Sequence, residues 1–363
     1  MGLLAACTEV RDSEALWTSA GAATDGGAAT SGSAASSADT AAAAADAATD
    51  DGSPEPDEGD GDAAFDVGAG ADPDDTTPGC KKVDFLFVVD DSGSMAGEQQ
   101  NLLASFPGFI ETIESTITAH DYQVLVTNTN AAGLDYCATL CAAPFIPDCQ
   151  GLPCADVPVL DACDAAAGAG KVRDQNYQPC AFDTADRFLV DSQADMVGTF
   201  ACVAEVGVRG NGNEQQATAL VEAVGAELTG PGGCNEGFLR DDAILVVTLI
   251  TDEEDGQSVE GTDDDPGSPG TPEQWRDAVV AAKSGDAEAV VVLGLVGDTD
   301  VEGGVCQPLD GGEGAEPAPV LRQFVQAFPH HVLGSVCAPD YAPFFQAAVD
   351  VIDFACDEFD PEG

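Results

Sequence analysis

Residues 83–95 read Val-Asp-Phe-Leu-Phe-Val-Val-Asp-Asp-Ser-Gly-Ser-Met. The first seven are apolar apart from Asp84. A run without polar alternation predicts a strand covered on both faces, as in a parallel sheet. Two acids and a Ser-Gly-Ser turn follow. Beyond the turn, Leu102, Leu103, Phe106, Phe109, Ile110, Ile113 and Ile117 recur at helical steps between Gly97 and Thr118, with a kink expected at Pro107. Strand, short polar loop, amphipathic helix is the opening unit of an α/β domain.

The same alternation continues outward. Strands are predicted at Tyr122–Thr127, Ala243–Thr251, Ala289–Val296 and His331–Ser335. Helices are predicted at Glu214–Leu228, Pro272–Lys283, Pro319–Phe328 and Tyr341–Phe354. The expected fold class is therefore α/β: a Rossmann-like, doubly wound, mostly parallel sheet with helices on both faces.

Between Tyr136 and Phe182 the periodicity fails. Six cysteines (Cys137, Cys141, Cys149, Cys154, Cys163, Cys180) stand among Pro, Gly and Ala. This reads as an insertion, at about 136–182, held by its own disulfides in place of a core. The chain has 13 Cys and 3 His, a ratio that favours disulfides over Cys/His zinc sites. Setting Cys7 aside leaves an even number. Spacing does not fix connectivity; Cys80–Cys356 is put forward as a tie between the domain's ends, and Cys202–Cys234 as a clamp on the loop before Glu214.

Residues 8–79 are of another kind. They are Ala, Asp, Gly, Ser, Thr and Pro, with Trp17 and Phe65 the only aromatics. Such a stretch buries too little apolar surface to offset its ordering entropy, so a disordered acidic stalk is expected, spanning roughly 50 Å as a flexible coil. The domain then occupies 80–363. Across all 363 residues, 11 Lys+Arg stand against 66 Asp+Glu, a net charge of −55. That charge repels phosphate backbones and anionic lipid headgroups, so no nucleic-acid partner is expected. A salty medium or cationic partners would both suit it. No run of 18 apolar residues marks a membrane span.

Two resemblances carry the functional reading. Leu4-Ala5-Ala6-Cys7 resembles the bacterial lipobox, which implies lipidation at Cys7 and makes residues 1–7 a shortened lipoprotein signal; the missing basic and apolar stretches before it imply a start codon placed too late. Membrane contact is then through the anchor alone, and the location is the bacterial cell envelope. The second resemblance is that of Val88-Val89-Asp90-Asp91-Ser92-Gly93-Ser94-Met95 to the Asp-x-Ser-x-Ser element of von Willebrand factor A (vWA) domains, their metal-ion-dependent adhesion site. Residues 97–110 and 122–129 also resemble the first helix and second strand of bacterial lipoproteins of this class. The resemblance covers about Val83 to Phe354 less the insertion. It implies that Ser92 and Ser94 bind a divalent cation directly, that Asp90 and Asp252 act through water, and that an open position accepts a partner's carboxylate. The family has Thr where this chain has Glu214, so Glu214, with Asn211 or Asn213 as substitutes, completes the set. Mg2+ is the first expectation, a hard cation that favours short oxygen ligands from one tight loop; the extra carboxylate makes Ca2+ or Mn2+ the alternatives.

Other groups carry less. Asp263-Asp264-Asp265, Asp298 with Asp300, and Asp310 with Glu313 fit no EF-hand spacing. His120, His330 and His331 are scattered. No G-x-S-x-G elbow, P-loop or strand-linked G-x-G-x-x-G is present, so no enzyme is expected. The expectation is an envelope-anchored vWA module that binds an extracellular or envelope protein through a metal-bridged acidic side chain. The alternative is a structural envelope lipoprotein whose ion only stabilises the fold.

Overall fold

The computed structural model describes residues 80–116, 121–130, 136–210, 214–255, 267–309 and 314–359. The expected stalk, Cys7 and the substitutes Asn211 and Asn213 lie outside them. Among the described residues no helix is long and apolar enough to cross a membrane.

In chain order the elements are β1 (Lys82–Val89), α1 (Ala96–Thr116), β2 (Asp121–Asn128), α2 (Tyr136–Cys141), β3 (Asp148–Cys149), β4 (Leu152–Pro153), β5 (Leu189–Val190), α3 (Met196–Ala204), α4 (Gln216–Val224), α5 (Ala226–Thr229), β6 (Ile244–Ile250), α6 (Pro272–Ala282), β7 (Val290–Val296), α7 (Pro319–Gln326), β8 (His330–Ser335) and α8 (Ala342–Glu358). The main sheet runs β5-β2-β1-β6-β7-β8. All neighbours are parallel except β5, which runs antiparallel to β2 at the edge. The fold is mixed α/β with a mostly parallel central sheet.

Side-chain alternation along the strands builds two cores. Phe85, Phe87 and Val89 face one side with Val291, Leu293 and Leu295, under Phe106 and Phe109 of α1, Phe200 of α3 and Phe345 and Ile352 of α8. Leu86 and Val88 face the other with Val247 and Val292, under Leu220 of α4, Trp275 of α6 and Phe324 of α7. Phe106 stacks on Phe200 and meets Phe87 edge-on, which fixes α1 and α3 over β1. Every residue of β6 and β7 is buried, as their nearly unbroken apolar sequences predict, Thr248 being the one polar side chain.

Several boundaries move. The helix expected at Glu214–Leu228 is two, because Gly225 leaves helical geometry at ψ 147° and caps α4. Glu214 precedes α4 and forms a bridge with Asn130. Pro107 lies inside α1, and β5 and α3 were not foreseen.

Six disulfides use all twelve cysteines from Cys80 onward. Cys80 bonds Cys356. The pairing Cys202–Cys234 does not form: Cys202 bonds Cys180, and Cys234 bonds Cys163. Cys202 rides on α3, which packs on the α1 side of the sheet. Cys234 adjoins Asn235, whose side chain donates to the Ala223 carbonyl at 3.0 Å on α4, across the sheet. A disulfide needs Cα atoms within about 7 Å, which the intervening sheet prevents. The insertion is therefore held only in part by its own bonds, Cys137–Cys149 and Cys141–Cys154. Cys163 and Cys180 fasten it to the two helical layers. Cys306–Cys337 closes the last pair of loops.

Candidate metal centre

Register places the centre. Val89 at the end of β1 pairs with Asn128 of β2 and Ile250 of β6. The residues that leave these strands, Asp90, Thr129 and Thr251, therefore emerge together at the carboxyl edge of the sheet, where open α/β folds place ligands.

Asp90 is fully buried and shapes the loop. Its Oδ1 accepts the Ser92 amide at 2.7 Å, and its Oδ2 accepts the Thr251 hydroxyl at 2.6 Å. Gln99 of α1 donates to the Asp90 carbonyl at 2.9 Å and to that of Gly207 at 2.7 Å, tying this loop to the one after α3. The Ser92 and Ser94 hydroxyls are 3.2 Å apart, and Ser92 Oγ donates to Asp252 Oδ1 at 3.5 Å. Asp252 is fully buried, and its Oδ2 has no hydrogen-bond partner.

Glu214 arrives from the third loop. Its Oε2 accepts the Thr129 hydroxyl in a short contact, while its buried Oε1 has no partner. Carboxylate oxygens of Asp90, Asp91 and Glu214 lie within 4.8 Å of one another. The structure thus groups Asp90 with Glu214, and Ser92 and Ser94 with Asp252, with Asp90 facing the charge of both Asp252 and Glu214.

Asp91 and Thr129 were not foreseen. Asp91 accepts Asn128 Nδ2 at 2.7 Å and Asn130 Nδ2 at 2.5 Å, which locks the loop after β2 against the serine loop. Gly210 packs on it: a Cβ there would meet Asp91 Oδ1 at 2.4 Å. The available signal was Asn-Thr-Asn at 128–130, polar residues directly after a buried strand.

The acids after β6 divide their work. Glu254 accepts the Val320 and Leu321 amides at 2.7 and 3.1 Å, capping α7, whose own Ala318 offers no side-chain cap. Asp255 accepts the Ala217 amide of α4 at 2.8 Å. These two set the position of the loop and leave Asp252 to face the serines.

Electrostatics follow from burial. Burial first, then the Asp252 charge, raises Asp90 above the usual carboxylate range, against hydrogen bonds from Thr251 and Ser92. Burial, then Asp90 and Asp91, pushes Glu214 up strongly. Burial raises Asp252, against hydrogen bonds from Ser94 and Ser92. Among the described residues no Lys, Arg or His forms an ion pair with Asp90, Glu214 or Asp252. A set of hard oxygens with surplus negative charge and two buried, unpartnered carboxylate oxygens fits a divalent cation such as Mg2+ or Ca2+.

Beside it lies an open cleft lined in part by Asp91, Asn128 and Asn130. The insertion adds Lys171 and Arg173, the segment before β5 adds Arg187, and the loop after α3 adds Arg209. Four of the chain's 11 basic residues thus gather at one cleft. Arg173 and Arg187 share Asp164, at 3.2 and 2.6 Å.

The lesser acidic groups are structural where described. Asp298 accepts the Val305 and Cys306 amides, and Asp300 pairs with Arg322. Asp263–Asp265, Asp310, Glu313 and His120 lie outside the described residues.

No protein-family model and no curated protein matches the chain. Solved structures that match include proximal thread matrix protein 1 from the mussel byssus, at 14% identity and a TM-score of 0.34, over 76% of this chain and 49% of that one. The chain spans about half the length of that protein, and a likeness so distant assigns neither a fold family nor a function.

Proposed function

We propose that the chain is a vWA-type binding module of the bacterial cell envelope, in which Asp90, Ser92, Ser94, Glu214 and Asp252 hold one divalent cation. The reading is carried by one observation: Glu214 Oε1 and Asp252 Oδ2 are buried without a hydrogen-bond partner at the same sheet edge. Buried carboxylate oxygens left bare are costly, and a cation is the group that satisfies several at once.

The residues have separate tasks under this reading. Ser92 and Ser94 offer neutral oxygens from one turn. Asp252 and Glu214 supply charge from two further loops. Asp90 holds the serine loop in shape through its own hydrogen bonds, as a water-linked acid would. A bound dication supplies an electrophilic position for a partner's carboxylate. The cleft alongside suits an acidic ligand segment, since its four basic residues, set against Asp91, Asp164 and Asp174, offset the negative charge that prevails on a chain of net charge −55.

Six disulfides support an oxidising, extracellular setting, and a lipid anchor at Cys7 extends that reading to the envelope. Isothermal titration with Mg2+, Ca2+ and Mn2+ tests the centre: Ser92→Ala/Ser94→Ala should bind at least about tenfold more weakly than the parent. Equal binding rejects the centre. Capture of an envelope protein that survives chelation rejects the metal bridge and leaves the ion a stabilising role only.

A further inference from the structure

We propose that Glu288, His330 and Glu358 form a Zn2+ site at the opposite end of the sheet from Asp90. The three belong to separate elements. His330 opens β8 and pairs with Val291 of β7, Glu288 lies two residues before β7, and Glu358 ends α8, which packs over both strands. Register thus brings them to the amino edge of the sheet, away from the carboxyl edge that carries the serine loop.

The imidazole is the anchor. His330 is 5% exposed, and its buried Nε2 has no hydrogen-bond partner. Nε2 points into a pair of carboxylates: Glu288 Oε2 is 2.8 Å away but off the direction of a ring N–H bond, and Glu358 Oε2 is 4.0 Å away. One ligand atom from each residue lies within 4.8 Å of the other two. In a tetrahedral Zn2+ site with bonds of about 2.0–2.1 Å, ligand atoms stand about 3.3 Å apart. The observed spacings bracket that value, and both carboxylates, about half exposed, are free to close the difference. The ring itself is held by an edge contact with Phe354.

Donor chemistry selects the metal. One imidazole with two carboxylates suits zinc, whereas Mg2+ and Ca2+ favour oxygen alone. Three protein ligands leave a fourth position for water. The electrostatic setting also calls for a cation. Asp350, Asp353, Asp357 and Glu358 crowd the carboxyl end of α8, which has no basic residue in its last turn. Acids at a helix C-terminus oppose its dipole, and a dication there reverses the penalty. Bound zinc would pin α8 to the last two strands.

The test uses the full, disulfide-intact chain, stripped of metal and titrated with Zn2+ under excess Mg2+, which occupies the oxygen-only centre. Expected are one Zn2+ per chain and a single-imidazole signature in zinc-edge X-ray absorption. Glu288→Gln/Glu358→Gln, both at the surface, should weaken Zn2+ by at least about tenfold with an unchanged circular dichroism spectrum. His331→Gln should leave Zn2+ binding as it was, which assigns the imidazole signature to His330 and separates this site from the imidazole-free one at Asp90. Absence of the imidazole signature, or undiminished affinity in the double Gln variant, overturns the proposal.

Discussion

Replacing Glu214 with Gln separates the charge of that residue from its shape. Oxygens of Asp90, Asp91 and Glu214 lie within 4.8 Å of each other. At an effective dielectric constant of about 20, two ionised carboxylates at that distance repel by about 3.5 kcal/mol. The metal-free protein therefore keeps a proton in the cluster at neutral pH, and Glu214, pushed up by burial and by Asp90 and Asp91, retains it. A carboxyl group whose folded pKa is raised adds stability at low pH and loses it as pH climbs from the unfolded value through the folded one. Metal-free protein should therefore lose stability from about pH 4 upward, and Glu214→Gln should flatten that slope. At neutral pH the variant replaces a protonated acid by a neutral amide that still accepts from Thr129, so the metal-free melting temperature should change by less than about 1 kcal/mol equivalent. Metal response should differ sharply. A ligand at a hundred times its Kd stabilises by about 2.7 kcal/mol, roughly 5 °C for a domain of this size. The parent should show such a shift with Mg2+ or Ca2+, larger at pH 8 than at pH 5.5 because binding displaces the proton, and the variant little or none. Thermal melts with and without chelator across that range read both effects. Parent-like metal response in Glu214→Gln, or a chelated variant weakened by several kcal/mol at every pH, would refute the reasoning.

Other perturbations test the frame. Arg240 donates to Asp84 Oδ1 at 2.7 Å from Nε and to Oδ2 at 2.8 Å from its backbone, and burial holds Asp84 at about 6 even against that guanidinium. Arg240→Met should cost about 3–5 kcal/mol in denaturant melts at pH 8 and less at pH 5, where Asp84 in the folded state takes up a proton and the orphaned charge disappears; an equal loss at both pH values would exclude that cause. Glu254→Ala uncaps α7 and should cost about 1–2 kcal/mol, with reduced metal affinity because the loop bearing Asp252 loosens; a stability matching the parent would count against the cap. Replacing Cys163 and Cys234 by Ser opens a loop of separation 71 and should cost up to about 4 kcal/mol, while Mg2+ titration still shows the centre at Asp90.

Legibility of the fold tracked burial. β1, β6 and β7 are almost wholly apolar, with Asp84 and Thr248 the only polar residues inside them after Lys82, and their sequences announce strands in the middle of a sheet. β5 has two residues, and α3 lies beyond a stretch dominated by turns, so neither carries enough periodicity to be read. The serine loop was legible because a buried strand precedes it and a helix follows. Asp91 and Thr129 were not, because their roles depend on the β1–β2 register. In Thr251–Asp255 four successive acids look alike, and only helix packing assigns Glu254 and Asp255 to α7 and α4. The Cys202–Cys234 pairing failed for a similar reason: sequence spacing does not reveal which face of the sheet each cysteine occupies. His330 stands 42 residues from Glu288 and 28 from Glu358 in numbering, and nothing local joins them.

The bond between Cys80 and Cys356 has a mechanical consequence. It joins Cys80, two residues before β1, to the last turn of α8, across a sequence separation of 276. Tension applied to the segment before Cys80 and resisted beyond Cys356 runs through two sulfur atoms and bypasses everything between them. The sheet, both cores and the loops at its two ends then bear none of that load, so a pull between the two flanking segments would leave the fold they enclose intact.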